Sequence, residues 1–178
     1  ERIAGLIAAY RHGGPLQRDF YIDAEVFQAD MDRIWSRYWL YVGHACMLPN
    51  PGDWMTWKIG LASIVVVRGR DGVVRAFHNT CRHRGARFCN AETGNARGFR
   101  CPYHGWAYDL EGRLTTHTMA EFGVSESSLG LHPVRLGART GPAAGVPAAV
   151  AGTAVLGRRD RAGRGGVVLC GPQRHLRR

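Results

Sequence analysis

No stretch of this chain is long and apolar enough to cross a bilayer. The longest weakly apolar run, residues 143–156, is interrupted by Gly145, Pro147 and Gly152, whereas a spanning helix needs roughly 20 consecutive apolar residues. Residues 1–14 hold a short apolar run but neither a basic lead nor a long hydrophobic region with a cleavage site, so no targeting signal is read there. Acidic residues are scarce. Lys and Arg number 24 against 14 Asp and Glu, a formal net charge of +10. A uniformly basic domain would point to nucleic acid or an anionic membrane, but the excess is unevenly held. Residues 1–137 carry 16 basic against 13 acidic side chains, and residues 138–178 carry eight Arg against Asp160 alone. That last stretch has no Phe, Trp, Tyr, Glu or Lys, so it offers no aromatic surface on which bases would stack. Nucleic acid and membrane are therefore not expected as partners. Eight Arg, eight Gly and eight Ala without strand alternation or a capped amphipathic helix predict disorder for 138–178. Its composition also suggests a GC-rich message read out of frame beyond Gly137, giving a truncated product.

What remains, residues 1–137, has room for one good domain, and 45% hydrophobic content over the whole chain allows a core. There are five cysteines. Two of them stand in a pattern with histidine across residues 81–106, CRHRGARFCNAETGNARGFRCPYHGW. Cys81 and His83 are separated by one residue and Cys101 and His104 by two, with seventeen residues between the pairs. Each half offers one thiolate and one imidazole. Zinc accepts two Cys and two His, but its usual modules pair like with like. Mixed halves match the ligand set of a Rieske [2Fe–2S] centre, in which two cysteines hold one iron and two histidines the other. Gly85 and Gly105 follow their histidines where the chain must turn beside a metal, and Pro102 stiffens the second loop. Tyr103 and Trp106 read either as shields for the sulfurs or as ordinary core aromatics.

On these residues the chain resembles the Rieske domain of the large (α) subunit of ring-hydroxylating oxygenases. The resemblance rests on CRHRG, on CPYHGWAYDLEGRL and on WSRYWLYVGHACMLPNPGDW upstream, and it spans residues 20–137. It implies a mainly β, Rieske-type antiparallel sandwich with two metal-binding loops, preceded by N-terminal helices. It also implies a [2Fe–2S] cluster on Cys81, His83, Cys101 and His104, a ferredoxin or reductase as electron donor, and a homo-oligomer in the full-length family. The family acts on aromatic compounds or on choline-like quaternary amines. It activates oxygen at a mononuclear Fe(II) held by two His and one carboxylate. None of the eight histidines here has an acidic residue three positions before it, so ligands for that second iron are not found, and no catalytic residue is assigned. A stand-alone Rieske ferredoxin is the alternative within redox chemistry, but such carriers lack the helical lead-in and CRHRG. A structural zinc module is the alternative outside it.

The expected organisation is a helical lead-in over 1–42, the Rieske domain over 43–137 and the tail over 138–178. Ile3, Leu6, Ile7 and Tyr10 recur at helical spacing. A second helix starts after Asp23 as cap, with Phe27, Met31, Ile34, Trp35 and Tyr38 as an apolar stripe expected to pack on the β domain. Met55, Trp57 and Ile59 alternate along a strand. Residues 64–67 are a β-branched run, and Asp71-Gly72 and Glu111-Gly112 mark hairpins. His44, His78, His117 and His132 read as structural. Cys46, Cys89 and Cys170 read as free thiols in a reducing cytoplasm, Cys89 as a small buried hydrophobe. Arg82, Arg84, Arg87, Arg97 and Arg100 make the ligand region basic, as a solvated rim or as a surface steering an acidic donor.

Overall fold

A computed structural model describes residues 2–117, 126–139 and 167–170, and its secondary structure divides as the sequence pattern expects, helices first and strands after. Two compact units part between Trp39 and Leu40.

The first unit holds α1 (Arg2–Ala9), α2 (Asp19–Ile22) and α3 (Ala24–Asp30). Asp23 caps α3, its carboxylate accepting from the amides of Glu25 and Val26 at 2.8 and 3.3 Å and thus satisfying two otherwise orphaned donors. Arg2 joins α1 to this cap through Asp19 and Asp23 at 2.9 and 3.1 Å. The helix beyond α3 does not continue as one apolar face. Residues Met31–Trp35 form a π-turn, with the Ser36 amide reaching back five residues to the Met31 carbonyl at 3.0 Å. The extra residue in that turn shifts the phase of the side chains. Of the expected stripe, Phe27, Ile34, Trp35 and Tyr38 are exposed and Met31 is half-buried, while the buried residue of α3 is Val26, outside the stripe.

The second unit is built from strands. A five-stranded antiparallel sheet has the order β5-β2-β3-β4-β9, formed by Asp53–Ile59 (β2), Ala62–Arg68 (β3), Val74–His78 (β4), Thr93–Asn95 (β5) and Pro133–Val134 (β9). Two residues link β2 to β3, and the Asp71-Gly72 turn links β3 to β4, as the hairpin signals require. The β-branched run of β3 is buried on both faces. Val65 and Val67 enter one core and Ile64 and Val66 another, because successive side chains of a strand point to opposite sides. The first core is closed by a second sheet, β6-β7-β8, of Phe99–Arg100, Ala107–Tyr108 and Leu114–Thr116. Phe99, Tyr108 and Leu114 of that sheet meet Val65, Val67 and Phe77 there, together with Cys81 and Cys101. The second core includes Val42 and Leu136, from β1 (Leu40–His44) and β10 (Leu136–Arg139).

Two boundaries move from where the sequence put them. The strand unit begins at Leu40, not at residue 43, because Leu40 and Val42 are buried in β1. At the other end, β10 runs across position 137. A further strand, β11 (Val167–Cys170), lies antiparallel between β1 and β10. Those four residues depart from the disorder expected of 138–178. The Val167-Val168-Leu169 run can exchange ladder hydrogen bonds with two partners that are distant in sequence, which local composition does not register. Residues 140–166 and 171–178, on which the rest of that expectation falls, lie outside the described residues. Among the described residues no helix is long and apolar enough to cross a membrane.

Candidate metal centre

Both Cys/His loops close in the same way. In the first, the Cys81 amide donates to the Ala86 carbonyl at 2.8 Å and the Gly85 amide to the Cys81 carbonyl at 3.0 Å. In the second, the Cys101 amide donates to Trp106 at 2.7 Å and the Gly105 amide to Cys101 at 3.0 Å. Gly85 and Gly105 occupy matching positions at φ +73° and +75°, a left-handed conformation that a side chain disfavours. The first loop leads from β4 and the second joins β6 to β7, so the two sheets of the first core present them side by side.

The four sequence-predicted residues come together as two like pairs. Cys81 and Cys101 are buried within the same apolar core. The His83 and His104 rings lie edge to face with centroids 4.6 Å apart. Buried side-chain polar atoms without a hydrogen-bond partner are few among the described residues: Nδ1 of His83, Nδ1 of His104, Nε of Arg82 and Nε1 of Trp106. All four belong to these two loops. Leaving such an atom unsatisfied costs on the order of 1–3 kcal/mol, so two buried imidazole nitrogens without partners on adjacent rings call for an occupant. Burial, reinforced by His104 and Arg84, holds the His83 imidazole below its ordinary pKa. A neutral imidazole keeps the lone pair that a metal needs. The donor set therefore fits a two-iron cluster with thiolates on one iron and imidazoles on the other.

Three neighbours orient the site. Trp106 is buried and stacks on His83, with 9° between the ring planes and 4.9 Å between centroids, so it is core aromatic and ligand support at once. Tyr103 lies against His104 at 3.9 Å but is 62% exposed, so it is not core. Tyr108, in β7, places its hydroxyl 3.3 Å from Cys81 Sγ while accepting the Arg82 amide at 3.0 Å. Its own proton is thereby left for the sulfur. Sequence reasoning missed this role, since Tyr108 lies 27 positions after Cys81 and only the tertiary fold brings its hydroxyl to the first loop. Asn79 was missed as well. It is fully buried and ties the base of the first loop to Ser63 and Cys89; an Asn between a strand and a loop was its only local signal.

The other candidates take structural places. His44 caps the short turn Ala45–Met47, its Nδ1 accepting from the Cys46 amide at 3.3 Å. His78 donates its amide to the His132 carbonyl, and the His132 ring contacts Arg82. His117 lies edge-on to Trp106 at 5.8 Å. Cys89 is buried in the core, and that burial pushes its thiol up to about 12. Cys46, Cys81, Cys89 and Cys101 are all free.

The donor set fits an iron–sulfur cluster between the two loops of this β domain. Residues 38–122 match the family model of the Rieske [2Fe-2S] domain, and this part of the chain is a Rieske domain whose cofactor is a [2Fe–2S] cluster. The zinc alternative falls with that assignment.

Over the part that matches, the chain is homologous to the N-terminal part of Rieske oxygenase α subunits. It is 40% identical over 136 residues to the glycine betaine monooxygenase oxygenase subunit of Pseudomonas aeruginosa, covering 75% of this chain and 31% of that protein. It is 44% identical over 103 residues to the benzene 1,2-dioxygenase subunit alpha of Pseudomonas putida, covering 58% and 23%. Its fold matches the crystal structure of the quaternary ammonium Rieske monooxygenase CntA in complex with L-carnitine, with a TM-score of 0.65 and 25% identity over 88% of this chain and 38% of that one. The chain thus spans less than two fifths of the length of each of these relatives.

The Tyr108 hydroxyl gives one measurable consequence. A hydrogen bond to a thiolate ligand favours the reduced, more negative state of a cluster. Removing it in Tyr108→Phe forfeits about 1 kcal/mol of that preference, equivalent to roughly 40 mV for one electron. The reduction potential is expected to fall by about this amount, read by EPR-monitored redox titration, while Tyr103→Phe leaves it in place.

Proposed function

We propose that this chain is the electron-accepting Rieske module of an oxygenase α subunit, with Cys81 and Cys101 holding one iron and His83 and His104 the other. The observation that carries this reading is a pair of buried, unpartnered Nδ1 atoms on two imidazole rings 4.6 Å apart, in loops that also carry two buried thiols. When bound, the cluster supplies one-electron transfer from a ferredoxin or reductase toward the mononuclear iron of the complete oxygenase. The electron-transfer step is the part of the reaction assigned to this chain.

The surrounding residues serve that step by limiting rearrangement. Trp106 fixes the plane of His83, the Tyr108 hydroxyl donates a hydrogen bond to Cys81 Sγ, and the paired turns keep the loop backbones in place. Exposed Tyr103 leaves the His104 side open to a redox partner. Substrates of the whole protein would be aromatic compounds or quaternary amines, the two classes named among the relatives. A homo-oligomer and a cytoplasmic location accompany this reading, the latter supported by the free thiols.

The test is a metal and spectral analysis of the purified chain. Two irons and two sulfides per chain, a brown colour and a Rieske-type EPR signal after dithionite reduction are expected. A colourless, zinc-loaded protein that gives no such signal after anaerobic reconstitution would overturn the proposal.

A further inference from the structure

A cavity of about 510 Å³ opens on the β6-β7-β8 sheet, and its rim is unusually rich in arginine: Arg70, Arg97, Arg100 and Arg113. Their situations differ. Arg113 is neutralised from within, its guanidinium bound to Asp109 at 2.7 Å and to Glu111 at 3.4 Å. Asp109 is further committed to the backbone amides of Glu111 and Arg113 at 3.0 and 2.8 Å. Arg70, Arg97 and Arg100 are exposed. With four arginines against the two carboxylates of Asp109 and Glu111, the concave surface keeps a net positive charge and draws anions.

The groove also adjoins the metal loops. Arg100 immediately precedes Cys101, and its Nη1 lies 3.9 Å from where a side chain on Gly105 would begin. Its charged head therefore rests beside the second loop. The lining also includes Tyr108, whose hydroxyl reaches Cys81 Sγ, and Phe99, which belongs to the same core as both cysteines. The groove therefore borders residues that touch the loop cysteines or share their core. Such a position suits a partner that must bring an electron close, and it holds that partner through charge, which favours rapid association and release.

We propose that this groove seats carboxylate side chains of an acidic electron-donor protein, with Arg70, Arg97 and Arg100 as the clamp. The inference rests on the electron-transfer reading above and narrows it, from a basic region in general to one docking surface. The transfer itself moves one electron from the donor's reduced centre to the chain, with no bond made or broken.

The experiment compares the cluster-loaded chain with an Arg97→Gln/Arg100→Gln variant in stopped flow. One reductant is a reduced acidic plant-type [2Fe–2S] ferredoxin, the other a reduced neutral flavin. Loss of two steering charges is expected to slow reduction by the ferredoxin about tenfold at low ionic strength and to flatten its salt dependence. The flavin rate is expected to stay the same. An unchanged ferredoxin rate overturns the groove, and so does an equal loss in Arg84→Gln/Arg87→Gln, which would assign the effect to a diffuse basic rim. A parallel loss with both reductants overturns it too, because the change would then lie in the cluster. A wild-type chain that accepts electrons from the flavin but not from the ferredoxin sinks the docking proposal alone. One that accepts from neither sinks the electron-transfer reading with it.

Discussion

Cys101→Ala is expected to leave the chain without iron. The variant removes one of the two buried thiols of the Cys/His pairs, and neither of the other described thiols can replace it. Cys46 is exposed on a different turn, and Cys89 is a core residue whose thiol burial holds protonated, with its pKa pushed up to about 12. A bound cluster also contributes to folding, because its ligand geometry does not exist in the unfolded chain. Loss of iron should therefore come with a lower Tm than that of the cluster-loaded wild type. Iron and sulfide counts, the visible spectrum and a thermal melt read the result together. Cys46→Ala and Cys89→Ala serve as comparisons, and both are expected to keep two irons. Retention of two irons by the Cys101 variant would remove this residue from the ligand set.

Asn79→Ala is expected to be the most destabilising substitution outside the ligands. The Asn79 side chain is 1% exposed, and both ends of its amide are used. Nδ2 donates to the Cys89 carbonyl at 2.6 Å and to Ser63 Oγ at 3.2 Å, while Oδ1 accepts from the Cys89 and Phe88 amides at 2.9 and 3.3 Å. Alanine leaves these partners buried and unsatisfied, each worth about 1–3 kcal/mol when stranded. These costs do not add fully, because water and small shifts recover part of them. A net loss on the order of 3 kcal/mol follows, which lowers Tm by roughly 10–20 °C for a domain of this size. The bonds also close the first loop from Asn79 to Cys89, across Cys81 and His83, so the variant should release iron faster to a chelator. A loss below about 1 kcal/mol with unchanged iron release would show that Asn79 does not brace the loop.

Much of the site was legible in the sequence because its meaning sits in short spacing. Mixed Cys/His pairs, a glycine four residues after each cysteine and the Asp71-Gly72 turn are all local, and the structure places them as hairpins and matched loops. The cap at Asp23 was legible for the same reason. The change of phase within the apolar stripe after it was not. Helical periodicity assumes 3.6 residues per turn, and the π-turn at Met31–Trp35 breaks that assumption. Composition likewise failed at Val167–Cys170, where strand pairing with β1 and β10 overrides a sequence that looks structureless on its own.

By itself the sequence determined the chemistry on offer: two thiols, two imidazoles and the turns that present them, since each of these depends on neighbours within a few bonds. Only the tertiary structure decided how those groups meet. Tyr108 reaches Cys81, Trp106 lies flat on His83, and Arg70 joins Arg97 and Arg100 on one groove because strands far apart in the chain are paired and two sheets share a core. The physical reason is that spacing along the chain is set by covalent bonds. Contact across it is set by which apolar faces can be buried together, and Val65, Val67, Phe99 and Tyr108 settle that question only as a packed set.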